Sequence, residues 1–256
     1  MSRRTAPAPE ETVADYDVRS PAVRTILTVV GTLVAVAAVG AVVLGLSVLL
    51  KDTRVATSQI DVGSNAQLVI NATSADIEIV EGEPDLLTVT SSVTSGLRTT
   101  DYQLGRKGDE IKIVSNCQTW LNPGCGVRTR LQVPPGLPLV VRTTTGDVRA
   151  TAISEGVLTV RTTTGDVTAD KLGVDEFSAQ TTRGSVDAAF AQQPFAFKAT
   201  TTTGPVTAEI PSGDRTYAVT TTTRSGNVAS QLQSDDDGRG FVRVTTRSGD
   251  IRLTTS

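Results

Sequence analysis

The sequence predicts an all-β protein: a β-solenoid of stacked strand repeats of about 20 residues, preceded by a single transmembrane helix. Three observations carry this prediction. A strand, turn and strand pattern recurs six times after residue 130, and 26 consecutive residues near the N-terminus carry no charge. The chain also holds 40 threonines among its 256 residues, and this β-branched polar residue is typical of exposed strands.

The uncharged segment covers residues 25–50, between Arg24 and Lys51. As a helix it would reach about 39 Å, against a membrane hydrocarbon core of about 30 Å. The run is too long for the apolar part of a cleaved signal peptide, and no small-residue cleavage site follows it closely. We therefore predict a transmembrane helix that stays on the protein.

Positive charge near the uncharged segment predicts its orientation in the membrane. Four arginines precede the helix, whereas only Lys51 and Arg54 follow it closely, so the N-terminus is expected in the cytoplasm. We expect a cell-membrane protein with its C-terminal part extracytoplasmic. The predicted segments are a disordered cytoplasmic tail at 1–24, the helix at 25–50, a linker at 51–59 and the β-repeat domain at 60–256.

Each repeat is organised around a glycine. The positions seven and five residues before it are mostly apolar and alternate with polar residues, which is typical of a half-buried strand. The spacings between successive glycines are 19, 19, 20, 22 and 23 residues. The turn glycines are Gly146, Gly165, Gly184, Gly204, Gly226 and Gly249.

The residues around each glycine predict a turn between two strands. A threonine stands three residues before every glycine, a turn acid follows it in three copies (Asp147, Asp166 and Asp250), and a second strand then begins. We expect the threonine methyl to face the core and its hydroxyl to bond the turn backbone or the next threonine. We expect the acids to cap their own turns.

A repeat this short cannot bury its apolar face alone, so it must stack on its neighbours. We predict a right-handed solenoid, with an antiparallel sandwich as the alternative. Leu68 to Ile79 read as a degenerate first rung, and further strands are expected near 87–93, 111–114 and 127–133. No capping element follows Leu253, so we expect end-to-end self-association or a partner protein at that end.

The two cysteines are expected to form a disulfide outside the cell. Cys117 and Cys125 flank a turn-forming segment that includes Trp120, and a bridge there would contribute about 2 to 3 kcal/mol. With no histidine and no further cysteine, the pair does not suit a zinc site. Trp120 reads either as a lid over the core, which we favour, or as an exposed ligand anchor.

Several functions are excluded or disfavoured by composition. The absence of histidine removes histidine catalysis and histidine metal ligation, and a net charge of −3 without a basic block argues against nucleic acid. We expect no catalytic residue, no cofactor and no metal. Turn capping explains the turn acids without a glycosidase pair, and Asp235, Asp236 and Asp237 read as a solvated loop rather than a calcium site.

Four arginines are the candidate surface-binding residues. Arg142 and Arg161 are expected in register on the outer face, with Arg243 and Arg247 further along, as a narrow positive strip. Such a strip suits an anionic envelope polymer or phospholipid headgroups. Solubility and protection against sheet aggregation are the simpler explanation, which the pattern alone favours.

The segment 131–136, followed by Thr-Thr-Thr-Gly-Asp-Val at 143–148 and 162–167 and Thr-Arg-Ser-Gly-Asp-Ile at 246–251, resembles the "putative adhesin" family of bacterial β-strand-repeat envelope proteins. The resemblance covers residues 60–256. It implies a β-solenoid ectodomain, often behind one membrane helix and sometimes found with envelope-stress signalling systems. It brings no catalytic or binding residue.

These observations predict a non-catalytic, membrane-anchored cell-surface module that is adhesin-like or binds envelope polymer. The main alternative is a sensory or regulatory membrane protein in envelope-stress signalling, and the weakest is a carbohydrate-active enzyme. Expected partners are the lipid bilayer, an envelope polymer or another membrane protein, and a further copy of the chain.

Overall fold

The computed structural model describes residues 21–49, 52–63, 66–95, 101–108, 110–116 and 125–256. Most of the predicted tail, together with Cys117 and Trp120, lies outside these residues. The chain divides into two compact units, Met1–Leu46 and Ser47–Ser256, and each is described by itself.

Helix α1, Pro21–Leu49, begins in the first unit and its last three residues belong to the second. Its described valine and leucine side chains are exposed, from 51% at Val30 to 70% at Val36. A helix is therefore correctly predicted here. Its role as a membrane span over residues 25–50 is not supported, because no helix in the described residues is long and apolar enough to cross a membrane.

The second unit consists of strands that form two sheets. Within the described residues the strands are β1 Asp52–Asp61, β2 Gln67–Glu81, β3 Leu86–Ser95, β4 Asp101–Lys107, β5 Glu110–Asn116, β6 Gly126–Val133, β7 Leu139–Thr145, β8 Val148–Thr151, β9 Val157–Thr164, β10 Val167–Leu172, β11 Glu176–Arg183, β12 Val186–Phe190, β13 Ala196–Thr203, β14 Val206–Ile210, β15 Tyr217–Ser225, β16 Val228–Ser230, β17 Gly240–Ser248 and β18 Ile251–Thr255.

Each rung contributes one strand to a front sheet and, after the glycine turn, one strand to a back sheet. The front sheet has the order β4-β5-β2-β7-β9-β11-β13-β17-β15, and the back sheet β1-β3-β6-β2-β8-β10-β12-β14-β18-β16. All rung-to-rung pairings are parallel. This confirms the predicted solenoid-like stacking and shows that the antiparallel sandwich is wrong.

Strand β2 is the predicted first rung and spans both sheets. Leu68 pairs with Leu139 in the front sheet, and Ile77 pairs with Val148 in the back sheet. The glycine position is held here by Ala75, as the sequence pattern indicates. The later rungs stack on this strand in the same register.

The last two rungs exchange places. Strand β17 lies between β13 and β15, and β18 lies between β14 and β16, so the C-terminal rung is internal. The prediction that the strand ending at Leu253 forms the uncovered end is therefore wrong. The inner residues give the reason: Val244 and Leu253 are fully buried, whereas the end rung has Thr221 and Ser230 at the matching positions, which suits the solvent-facing end of a solenoid.

The other end of the stack is covered by antiparallel strands. β1 pairs with β3, β3 with β6, and β4 with β5. The strands predicted near 87–93, 111–114 and 127–133 are confirmed as β3, β5 and β6. The predicted linker 51–59 needs correction, because residues 52–61 form β1; its mostly exposed side chains show no buried period, so local pattern could not reveal it.

The core between the sheets is filled to a similar volume in each rung. Phe177 stacks on Phe197 with ring centroids 5.9 Å apart, and Phe190 meets both rings edge-on. The buried phenylalanines Phe177 and Phe197 are followed two residues later by Ala179 and Ala199, whereas the leucine rungs have valine there. Large and small side chains thus compensate, as close packing requires.

Candidate functional site

The glycine column is a structural element. Gly165 has a φ of 143°, a region that side-chain-bearing residues rarely adopt, and a Cβ there would collide with the carbonyl oxygen of Gly146 in the neighbouring rung. The same close approach, glycine to the carbonyl of the rung beside it, recurs at the other turn glycines. These residues set the distance between turns.

The buried threonine hydroxyls are occupied by turn carbonyls. Thr181 donates to the carbonyl of Gly165 and Thr201 to that of Gly184, both at 3.1 Å, and Thr143 donates to Thr145. The expected bond to the turn backbone is therefore observed. The threonine column therefore stabilises the turns.

The turn acids bond to the neighbouring rung and not to their own turn. Oδ1 of Asp147 accepts from the N–H of Asp166 at 2.9 Å, Oδ1 of Asp166 from Ser185 at 2.7 Å, and Oδ1 of Asp250 from Asn227 at 2.8 Å. The expected capping of their own turns is thus corrected: the carboxylates link successive rungs.

A groove of about 350 Å³ on the back sheet contains Asp76, Asp147 and Asp166 beside Arg128 and Arg149. Oδ1 of each of these three aspartates accepts a backbone hydrogen bond from the next rung. In the part of the chain that the structure describes, no group of three or more acidic or sulfur side chains is arranged for a metal ion. The groove therefore reads as part of the stacking, with mixed charge.

The front sheet places Arg142 and Arg161 side by side. Arg142 pairs with Asn71 on one side and Arg161 on the other, and neighbouring strands lie about 4.8 Å apart. Among the described residues neither arginine forms an ion pair. By contrast, Arg130 on the back sheet lies 3.5 Å from Glu78. Two adjacent cations without an acid favour a bound anion.

Arg142 also borders an open groove of about 370 Å³ on the front sheet. The groove runs over β5, β2 and β7, and most of its polar side chains carry hydroxyls or amides. Its polar lining residues are Asn71, Thr73, Ser115, Asn116, Arg142, Thr143 and Thr144. Hydroxyls, amides and a guanidinium are the groups that bind a polar, negatively charged chain.

Arg243 and Arg247 lie apart from the first pair. β17 is three strands away from β9, about 14 Å, so the four arginines form two groups and not one strip. The exchange of rungs brings Arg243 next to Lys198, whose Nζ lies 4.8 Å from the ring centroid of Phe241. The alternation of buried and exposed residues along β13 places Lys198 on the outer face. That Arg243 is its neighbour follows only from the order of the rungs.

Of the two cysteines in the predicted disulfide, the structure describes Cys125. Cys125 directly precedes β6, and no free cysteine occurs among the described residues. Cys117 and Trp120 lie outside them. The bridge and the role of Trp120 stay predictions.

Parallel two-strand rungs, a glycine column and an antiparallel cover define a class, the solenoid-like stacked β-sheet protein. Residues 137–254 match the family model Toastrack DUF4097. The resemblance to bacterial adhesin-like repeat proteins is confirmed.

Comparison with solved structures gives several similar chains, and the first of these shares the fold. A "putative cell adhesion protein" from Clostridium sporogenes is 11% identical, with a TM-score of 0.52 over 80% of this chain and 100% of that one. A "putative adhesin" from Bacteroides fragilis is 11% identical, with a TM-score of 0.42 over 79% and 97%. A "putative lipid binding protein" from Parabacteroides distasonis is 11% identical, with a TM-score of 0.35 over 78% and 96%. No curated protein matches the chain.

Proposed function

We propose that the protein is a non-catalytic cell-surface module that binds an anionic envelope polymer on its front sheet. The observation that carries the proposal is the adjacent pair Arg142 and Arg161, without acidic partners among the described residues, beside a groove of hydroxyl and amide side chains. The fold shared with a "putative cell adhesion protein" supports a surface role.

The spacing of the charges suits a polymer with repeated anionic groups. Each guanidinium can donate two parallel hydrogen bonds to a carboxylate or phosphate. Asn71 and Ser115 offer hydrogen bonds to neutral hydroxyls of the same chain. Lys198 and Arg243 form a second cationic group further along the sheet, so one polymer can engage both groups and gain avidity.

Anchoring through α1 is part of the proposal. It is supported by the uncharged run 25–50 and by the exposed apolar side chains of the helix, such as Leu33 at 65% and Val36 at 70%. Such a surface is unfavourable in water and favourable in lipid. We propose that the arginines before residue 25 keep the N-terminus in the cytoplasm. The β-domain would then lie outside, where Cys117 and Cys125 would be oxidised.

The test uses the tagged full-length protein in detergent and purified cell-wall material. Arg142→Gln/Arg161→Gln should bind about tenfold less polymer than the wild type, because two adjacent anion contacts are lost together. Arg149→Gln/Arg252→Gln removes the same charge from the back sheet and should bind normally. Added salt should release the wild type.

Crosslinking in intact cells separates the alternatives. Capture of wall or surface polymer by the full-length protein supports the proposal. Equal binding by the two double variants would contradict the front-sheet site. Capture of one specific membrane protein instead of polymer would favour the signalling role.

Self-association is proposed at the end rung. Among the described strands β15 and β16 each pair with another strand on one side only. Tyr217 at the start of β15 also forms a bridge with Ser234, and Val228 in β16 is 45% exposed. A two-fold-related copy would pair these free edges and cover Val228. Sedimentation of the full chain should give a dimer that Val228→Lys dissociates, and a wild type that stays monomeric at high concentration would contradict this.

A further inference from the structure

The exchange of the last two rungs leaves a cavity of about 360 Å³. It lies between the β14–β15 connection, residues 211–216, and the β16–β17 connection, residues 231–239. Ser212 and Arg215 line it from the first connection and Gln231, Leu232 and Gln233 from the second. It is separate from the front-sheet groove.

The described connections between the regular rungs are shorter. Those connections cover residues 152–156, 173–175 and 191–195, and they stack directly: the N–H of Gly173 donates to Ile153 at 2.7 Å and that of Ala191 to Leu172 at 2.7 Å. The two later connections are longer. The β14–β15 connection crosses the position that β17 and β18 later fill, and the β16–β17 connection returns the chain to that position. The cavity is a product of the rung order.

Arg215 is the unusual residue of this cavity. Its Nη1 is buried and has no hydrogen-bond partner among the described residues. Its guanidinium lies over the ring of Phe195, 5.7 Å from the ring centroid. A buried cationic donor without a partner is unfavourable and calls for an anion.

The position of Arg215 is fixed by its surroundings. The side chain of Gln193 accepts from the N–H of Arg215 at 3.0 Å and donates to its carbonyl at 3.3 Å. The hydroxyl of Tyr217 donates to the carbonyl of Pro194 at 2.9 Å. The backbone of Arg215 is therefore held in place, and a ligand would meet an arginine on a fixed stretch of chain.

We propose that this cavity binds a sugar residue that carries a carboxylate. Arg215 would hold the carboxylate, while the amide of Gln233 and the hydroxyl of Ser212 bind sugar hydroxyls. Leu232 offers an apolar surface to the C–H face of the ring. The volume lies within the range of small-molecule sites, about 300 to 1,000 Å³.

The test is a titration of the full-length protein in detergent, followed by ligand-observed NMR. The probes are D-glucuronate, D-glucose, which is its neutral counterpart, and inorganic phosphate. D-glucuronate should bind at least about tenfold more tightly than either, because only it combines a carboxylate with ring hydroxyls. Thermal unfolding of each variant verifies that it is folded.

Variants locate the site. Arg215→Gln should weaken D-glucuronate binding about tenfold, and Arg215→Lys should weaken it less, since the charge remains without the fork. Arg224→Gln removes an equal charge from the same end rung and should bind like the wild type.

Three results would overturn the proposal: no binding of D-glucuronate, equal binding of D-glucose or phosphate, or normal binding by Arg215→Gln. The outcome is independent of the front-sheet proposal. If Arg215→Gln still retains wall polymer, the front-sheet proposal stands. If the wild type binds D-glucuronate but retains no wall polymer, only the front-sheet proposal is refuted.

Discussion

The regular rungs, β7 to β14, differ from the exchanged end, β15 to β18, in one respect: chain order equals spatial order only in the first. In the regular part each turn glycine lies against the turn carbonyl of the preceding rung, which is that of Ala75 for Gly146. By contrast, Gly249 lies against Gly204 and Gly226 lies against Gly249. All rungs share one register. Local sequence thus defines a rung, and the character of its inner face decides where it stacks.

The largest expected effect is at a turn glycine in the middle of the stack. Gly165→Ala should destabilise by about 4 kcal/mol or more, because the new methyl collides with the Gly146 carbonyl and rungs lie on both sides. Gly226→Ala should cost less, about 1 to 3 kcal/mol, because the end rung can move outward. Denaturant unfolding of the full chain measures both.

The matched control is Gly105→Ala, where a Cβ meets no atom within 4 Å and φ is not positive. It should be nearly neutral. Equal losses for Gly165→Ala and Gly226→Ala would show that the end rung is as constrained as the middle of the stack.

The second comparison concerns inner side chains. Leu253 is fully buried between two rungs, so Leu253→Ala should cost about 2 to 5 kcal/mol. Val228 occupies an inner position of the end rung but is 45% exposed, so Val228→Ala should cost less than about 1 kcal/mol. If chain order set the stack, the two losses would be reversed, and unfolding midpoints would show it.

The sequence predicts the rungs well because their pattern is local. Alternation around Gly146 and Gly165 sets strand, turn and inner face within about 20 residues, and the structure follows it. Rung order is not local, since any rung in this register can pair with any other. The sequence does indicate the end rung, because Thr221 and Ser230 are polar where the other rungs are apolar. This indicates the rung order only once the inner faces of all rungs are compared for the one that can face water.

The candidate sites divide along the same line. Arg142 and Arg161 become neighbours because their rungs are consecutive in both sequence and space. The contact of Lys198 with Arg243 depends on the exchanged order, and so does the cavity around Arg215. No local motif marks these last two, because their residues come from separate rungs and connections.

A third prediction concerns buried hydroxyls. Thr181→Val should cost about 1 to 3 kcal/mol, because the carbonyl of Gly165 loses the hydroxyl donor that the buried Thr181 supplies. Thr223→Val should cost less, since Thr223 in the end rung is only half-buried and water can replace its hydroxyl at Gly249. Equal losses in thermal unfolding would mean that the end rung excludes water as well as the middle does.

The smallest expected effect is a pH dependence confined to the exchanged end. Burial raises the pKa of the Tyr217 phenol above its ordinary value of 10.0, and the nearby Arg215 works against this rise. Because the folded pKa is the higher one, the contribution of Tyr217 to stability is complete below pH 10.0 and is lost as pH rises through the raised value.

Alkaline titration should therefore loosen the exchanged end before the regular rungs. Hydrogen exchange of residues 211–239 should accelerate with ionisation of Tyr217, followed by phenolate absorbance, while β9 to β12 stay protected. Tyr217→Phe should remove this pH step, and Arg215→Gln should move it to higher pH because the lowering charge is gone. Simultaneous loss of protection in both regions would mean that the exchanged end unfolds only together with the regular rungs. The two regions would then differ in the order of their rungs and not in local stability.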